Sequence, residues 1–266
     1  MPSLALADLS LHYEIEGTGP PVMLIAGTAS DSASWGALTA PLATQFTVIR
    51  PDNRSTGRTV PVDAPLSLEH WAQDALALAD HLGLGPIAVV GHSLGGMIAL
   101  RMAQKAPELV SRLALLACAP VSSPRNMALF DLLLQLRAEG QPDDLWLRAF
   151  LPWLFHPRFF DTPGQLDAAI AQSLAYPHAQ STGAMAAQIA ALREIEMTDL
   201  PEGISCPTLA LMGDSDLLMP PAVIEAALAP IPDLTLQRIP QAGHSLHWDA
   251  PEAVLAALIP FLLGGN

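Results

Sequence analysis

Apolar residues in this chain are arranged in two alternating ways. Short continuous runs are separated by longer segments in which apolar positions recur every three or four residues. A continuous run too short for a helix suits a strand covered on both faces, as in a parallel sheet. Residues 21–26, 46–50, 87–90, 113–118, 208–212 and 234–239 are runs of this kind. Two further short strands are predicted at 4–6 and 11–16, ahead of the turn Gly17-Thr18-Gly19-Pro20. Helical spacing follows at 35–42, 67–81, 97–106, 220–228 and 251–263. In the second of these, Ser67 can cap the helix, and Trp71, Ala75, Leu78 and Leu82 fall on one face.

Strands alternating with helices through short connections predict an α/β fold: a mostly parallel, eight-stranded sheet flanked by helices. Residues 121–201 break that rhythm. They are helix-like, interrupted by Pro142, Pro152, Pro157, Pro163 and Pro177, and rich in bulky apolar side chains. Residues 1–120 and 202–266 are therefore read as the core domain, and 121–201 as a helical cap inserted over the sheet's C-terminal edge. Phe130, Trp146 and Trp153 are the expected pocket residues from that cap.

Composition narrows the partners. Apolar residues make up 51% and charged residues 14%, which suits a chain with a large buried core. The formal charge of −14 argues against nucleic acid and anionic membranes, since both need clustered Lys and Arg. The expected partner is a small-molecule substrate; no feature sets an oligomeric state. No basic stretch followed by an apolar one marks the first residues as a secretion signal, and no apolar run is long enough for a membrane span. Cys118 and Cys206, both in apolar strand-like segments, read as buried free thiols in a reducing cytoplasm. No metal-ligand spacing is present, and neither metal nor cofactor is expected.

The candidate chemistry sits where the run 87–90 meets the helical segment beginning at 97. The residues there are Gly91-His92-Ser93-Leu94-Gly95, followed by Gly96. A G-x-S-x-G sequence between a strand and a helix is a nucleophile elbow, in which a strained turn lifts the serine hydroxyl clear of the sheet. A serine needs a general base and a carboxylate to orient it. His244, on the loop after strand 234–239, is the expected base, with His247 as the rival. Asp216, just after strand 208–212, is the expected acid, with Asp214 as the alternative. The backbone N–H groups of Leu94 and Thr28 are the candidate oxyanion donors, from the elbow and from the loop after strand 21–26.

These residues, in this order and spacing, resemble the α/β-hydrolases with a helical cap. The likeness runs from Ala26-Gly27-Thr28 through Arg50-Pro51-Asp52-Asn53-Arg54 and the elbow to Asp216 and Gly243-His244. Two positions depart from the family: Ala26 stands where histidine is common, and Ser55 where a glycine usually follows the arginine. Branches with an elbow aspartate, the haloalkane dehalogenases and epoxide hydrolases, are set aside by Ser93. The resemblance is greatest to carboxylesterases and 3-oxoadipate enol-lactonase-like hydrolases. It implies a serine hydrolase of a carboxylic ester or lactone with a small, largely apolar substrate. Carbon–carbon bond hydrolysis of a ring-cleavage product, or perhydrolysis, would use the same triad. A non-catalytic small-ligand receptor is the remaining alternative.

Overall fold

A computed structural model describes residues 2–138 and 141–265. Its centre is one eight-stranded sheet in the order β1-β2-β4-β3-β5-β6-β7-β8. The strands are β1 Ser3–Ala5, β2 Ser10–Glu16, β3 Pro21–Ile25, β4 Thr47–Pro51, β5 Ile87–His92, β6 Val110–Leu116, β7 Thr208–Gly213 and β8 Leu234–Ile239. β2 runs antiparallel to both β1 and β4, and every other pairing is parallel.

Burial on both faces explains why the parallel strands read as continuous apolar runs. Successive side chains point to opposite faces. Val22 and Leu24 of β3, Val90 of β5 and Leu209 and Leu211 of β7 join one core with α1 (Gly36–Ala43) and α10 (Pro251–Leu262). Met23, Ile25, Val89, Ala210 and Met212 join the other, against α2 (Leu68–His81) and α3 (Leu94–Lys105). Ser67 caps α2 by accepting the His70 N–H.

The chain passes from β3 to β4 on one side, then returns to lay β5 on the other side of β3. Such a reversal makes the loops after the two flanking strands diverge, and a crevice opens at their carboxyl ends. The loop after β3 begins at Ala26, and β5 leads into Ser93. The sheet order thus brings Thr28 and Ser93 to one crevice.

Between β6 and β7 the described residues form α4 (Pro124–Ala138), α5 (Leu145–Leu154), α6 (Gln165–Ala175) and α7 (Thr182–Arg193), with no strand among them. The end of α5 is tied to the loop after β8: Ser245 N–H donates to the Leu154 carbonyl at 2.8 Å. Asp249 of the short helix α9 (Leu246–Asp249) accepts the N–H groups of His156 and Gly243.

β6 differs from its predicted bounds, starting at Val110 and ending at Leu116. It stops there because Ala117 takes a left-handed φ of 49°. Cys118 consequently lies just beyond β6, Cys206 lies just ahead of β7, and both are buried thiols. Burial pushes the Cys118 thiol up to about 12.

Candidate active site

Ser93 sits at the junction of β5 and α3 with φ 53° and ψ −118°, a backbone conformation that side-chain-bearing residues rarely hold. The glycines around it make the turn possible. A Cβ on Gly91 would lie 2.2 Å from the Gly95 carbonyl oxygen, and one on Gly95 would lie 2.0 Å from that of Ile25. Ser93 N–H donates to the Leu116 carbonyl, tying the corner to β6. Leu94 is the first residue of α3, where helix N–H groups have no intrahelical acceptor.

The two groups expected to serve Ser93 are both in contact range. His244 Nε2 is 3.0 Å from Ser93 Oγ, and His244 Nδ1 is 2.9 Å from Asp216 Oδ2. The other carboxylate oxygen of Asp216 accepts the N–H groups of Leu218 and Met219, which fixes the plane of the group. The rivals have other places. Asp214 accepts from Ser215 and the Gln241 N–H and so makes the turn. His247 is buried with its ring 5.2 Å from Trp35 and 4.5 Å from His92.

His92, beside the nucleophile, is buried, and its Nε2–H donates to the His244 carbonyl at 3.0 Å. Burial, with His247 and His244 nearby, holds it well below the usual histidine range, so the ring is neutral. No local pattern announces this bond to a carbonyl 152 residues away.

Above Ser93 lies a cavity of about 670 Å³. Thr28, Ser93 and His244 form part of its floor, while Phe130, Trp146, Leu147, Phe150 and Leu151 come from α4 and α5. Two of the three expected pocket residues, Phe130 and Trp146, are therefore at the cavity. Trp153 is not: it does not line the space and instead stands under the Arg125 guanidinium, 5.4 Å away. It shares nearly the same helix face as Trp146 but stands two turns, about 10 Å, further along α5, beside Arg125 of α4. Among the lining residues Arg137 is stacked 4.6 Å over Trp146 and donates to the Gln180 carbonyl.

The loop after β3 is held from two sides. From β4 and its loop, Asn53 donates to the Ala26 carbonyl and Asp52 accepts the Ser32 N–H. From the α4–α7 segment, Tyr176 donates its hydroxyl to Asp31 at 2.7 Å, and Gln188 accepts the Ala29 N–H at 2.8 Å. Burial raises the Asp31 carboxyl above the usual range, even though the Tyr176 bond opposes it. Among the described residues no group of three or more His, Cys, Asp or Glu is placed to hold a metal ion, and no helix is long and apolar enough to cross a membrane.

The model of the alpha/beta hydrolase family matches residues 22–257. The chain belongs to that family. A relative from Agrobacterium fabrum, named carbamate hydrolase RutD, is 27% identical over 260 residues, covering 95% of this chain and 98% of its own. An esterase structure from Thermogutta terrifontis, with malate bound, superposes with a TM-score of 0.83 at 30% identity, over 96% of this chain and 93% of the other. The enol-lactonase of Burkholderia xenovorans LB400 shares the fold, with a TM-score of 0.86 at 24% identity, over 98% of this chain and all of the other. Family and relatives together make the chain a hydrolase, as the elbow and its surroundings imply.

Proposed function

We propose that this hydrolase cleaves a carboxylic ester or lactone of a small, largely apolar substrate, through an acyl-enzyme on Ser93. The observation that carries this reading is the unbroken chain Ser93 Oγ, His244 Nε2, His244 Nδ1, Asp216 Oδ2, with contacts of 3.0 and 2.9 Å, at the foot of a cavity walled largely by aromatic and leucine side chains. As Ser93 Oγ attacks the carbonyl carbon, its proton passes to His244 Nε2. Asp216 holds Nδ1–H and steadies the imidazolium. The N–H groups of Leu94 and Thr28 are the proposed donors to the tetrahedral oxyanion. Collapse expels the alkoxide, which takes the proton from His244. Water then enters, gives a proton to His244 as it attacks the acyl carbon, and the second collapse breaks the acyl–Oγ bond, His244 returning that proton to Ser93 Oγ as the acid leaves. Residues 121–201 act in this reading as the cap that selects the acyl or alcohol group.

Ser93→Ala is expected to lower kcat for a p-nitrophenyl short-chain ester by at least about 10⁴-fold, with an unchanged melting temperature. Residual turnover at the parent rate would remove Ser93 from the reaction. The full-length similarity to RutD carries a second reading, a carbamate substrate attacked by the same serine. A panel of esters, lactones and carbamates assayed side by side separates the two by kcat/KM.

A further inference from the structure

The loop proposed to carry one oxyanion donor has an unusual backbone. Ser30 N–H donates to the Gly27 carbonyl, closing a tight turn with Thr28 and Ala29 at its corners. Ala29 has φ 57°, a left-handed conformation that such a turn ordinarily assigns to glycine. An L-residue there crowds its own Cβ against the following carbonyl, so something outside the turn must hold it. The partner of its N–H is the Gln188 side-chain oxygen at 2.8 Å, reaching from α7 across 159 residues.

Gln188 is fully buried. Gln180 stands behind it, donating its Nε2–H both to Gln188 Oε1 at 3.3 Å and to the Ser55 carbonyl at 3.0 Å. Ser55 is the second left-handed non-glycine residue of this region, with φ 68°. Two strained turns, one after β3 and one after β4, are thus each tied to a glutamine of the α4–α7 segment. The arrangement is not the cheapest packing. Gln188 Nε2 and Gln180 Oε1 are buried without a hydrogen-bond partner among the described residues, and each forfeits the hydrogen bonds it would make to water. A leucine or methionine would fill the same space without that cost but could not accept the Ala29 N–H.

We infer that Gln188, supported by Gln180, is a positioning residue for the reaction: it fixes the Gly27–Ser30 turn so that the Thr28 N–H is aimed at the oxyanion. This rests on the acyl-enzyme reading above. Because the donor serves the tetrahedral state more than the bound substrate, losing its aim lowers kcat rather than raising KM.

The test uses Gln188→Met, which keeps the volume and removes the acceptor, and Gln188→Glu, which keeps an acceptor oxygen. Q188M is expected to lose about 10- to 30-fold in kcat on a p-nitrophenyl ester, less than the 10²- to 10³-fold typical for deleting a donor outright. KM stays within about twofold, and inhibition by an alkyl boronic acid, which forms a tetrahedral adduct on serine, weakens by the same factor as kcat. Q188E is expected to keep kcat within about threefold of the parent. Parent-like kcat and boronate inhibition in Q188M, a change in KM alone, or a loss in Q188E equal to that in Q188M would each overturn the inference. If Q188M does not fold, Gln180→Met decides: a several-fold fall in kcat at constant KM supports it, and an unchanged kcat overturns it. The parent enzyme and Ser93→Ala are run in the same assay. No turnover and no boronate adduct in the parent would sink the acyl-enzyme reading itself, whereas an active parent with an equally active Q188M sinks only the role of Gln188.

Discussion

His92, His244 and His247 form a contact cluster beneath the site, and only His244 reaches Ser93. His247 is driven down to about 3, first by burial and then by charge on His244. In the unfolded chain the same imidazole titrates near 6.5. As the pH falls from about 6.5 toward 3, the unfolded chain therefore takes up a proton that the folded chain refuses. Stability is complete above the unfolded value and is lost as the pH drops, by about 1.4 kcal/mol per pH unit for this one group. In His247→Gln the loss of stability between pH 7 and pH 5 is expected to be smaller than in the parent by about 2 kcal/mol, read from urea midpoints at the two pH values. Equal losses would mean that His247 is protonated inside the fold.

At the scale of elements, the elbow shows tertiary demand overriding helix propensity. Helical spacing places the start of α3 at Met97, yet the helix begins at Leu94 and includes Gly95 and Gly96, residues that weaken a helix interior. They are there because of what lies alongside: the Ile25 carbonyl over Gly95 and the Cys118 side chain over Gly96. Gly95→Ala would drive a methyl into the backbone of β3 and is expected to destabilise the fold by at least about 2 kcal/mol in denaturant unfolding. A parent-like midpoint would show that β3 and α3 separate easily. The same scale accounts for Trp153. Helical periodicity puts Trp153 on nearly the same face of α5 as Trp146, yet Trp146 lines the cavity while Trp153, two turns further along the axis, packs beside Arg125.

For the whole molecule, the cavity belongs neither to the sheet nor to the helical segment alone. The loops after β3, β5 and β8 supply its floor, and α4 to α6 supply most of its apolar wall. Four hydrogen bonds, made by Leu154, His156, Tyr176 and Gln188, stitch the two together at the loop after β3 and at the loop and short helix after β8. A wall residue should accordingly tune chain length without touching the chemistry. Trp146→Ala is expected to shift the preferred acyl chain of p-nitrophenyl esters toward longer members, with kcat/KM for acetate falling about threefold to tenfold as packing contacts are lost. An unaltered chain-length profile would place the acyl group elsewhere in the cavity.

The sequence by itself determined the sheet and singled out Ser93, His244 and Asp216, the residues proposed to react. A strand buried on both faces leaves a continuous apolar run, and an elbow requires glycines at fixed offsets from the serine, so both are written in short stretches of chain. His244 and Asp216 were legible for the same reason: each follows its strand at once, and all parallel strands end on one edge. Tertiary structure alone decided which side chains of the α4–α7 segment meet the cavity, that His92 holds the His244 backbone, and that Gln188 accepts the Ala29 N–H. Periodicity marks a face as buried without naming what buries it, and a hydrogen bond spanning 159 residues leaves no trace in either local sequence. Only the packing of α7 against the loop after β3 brings those two groups together.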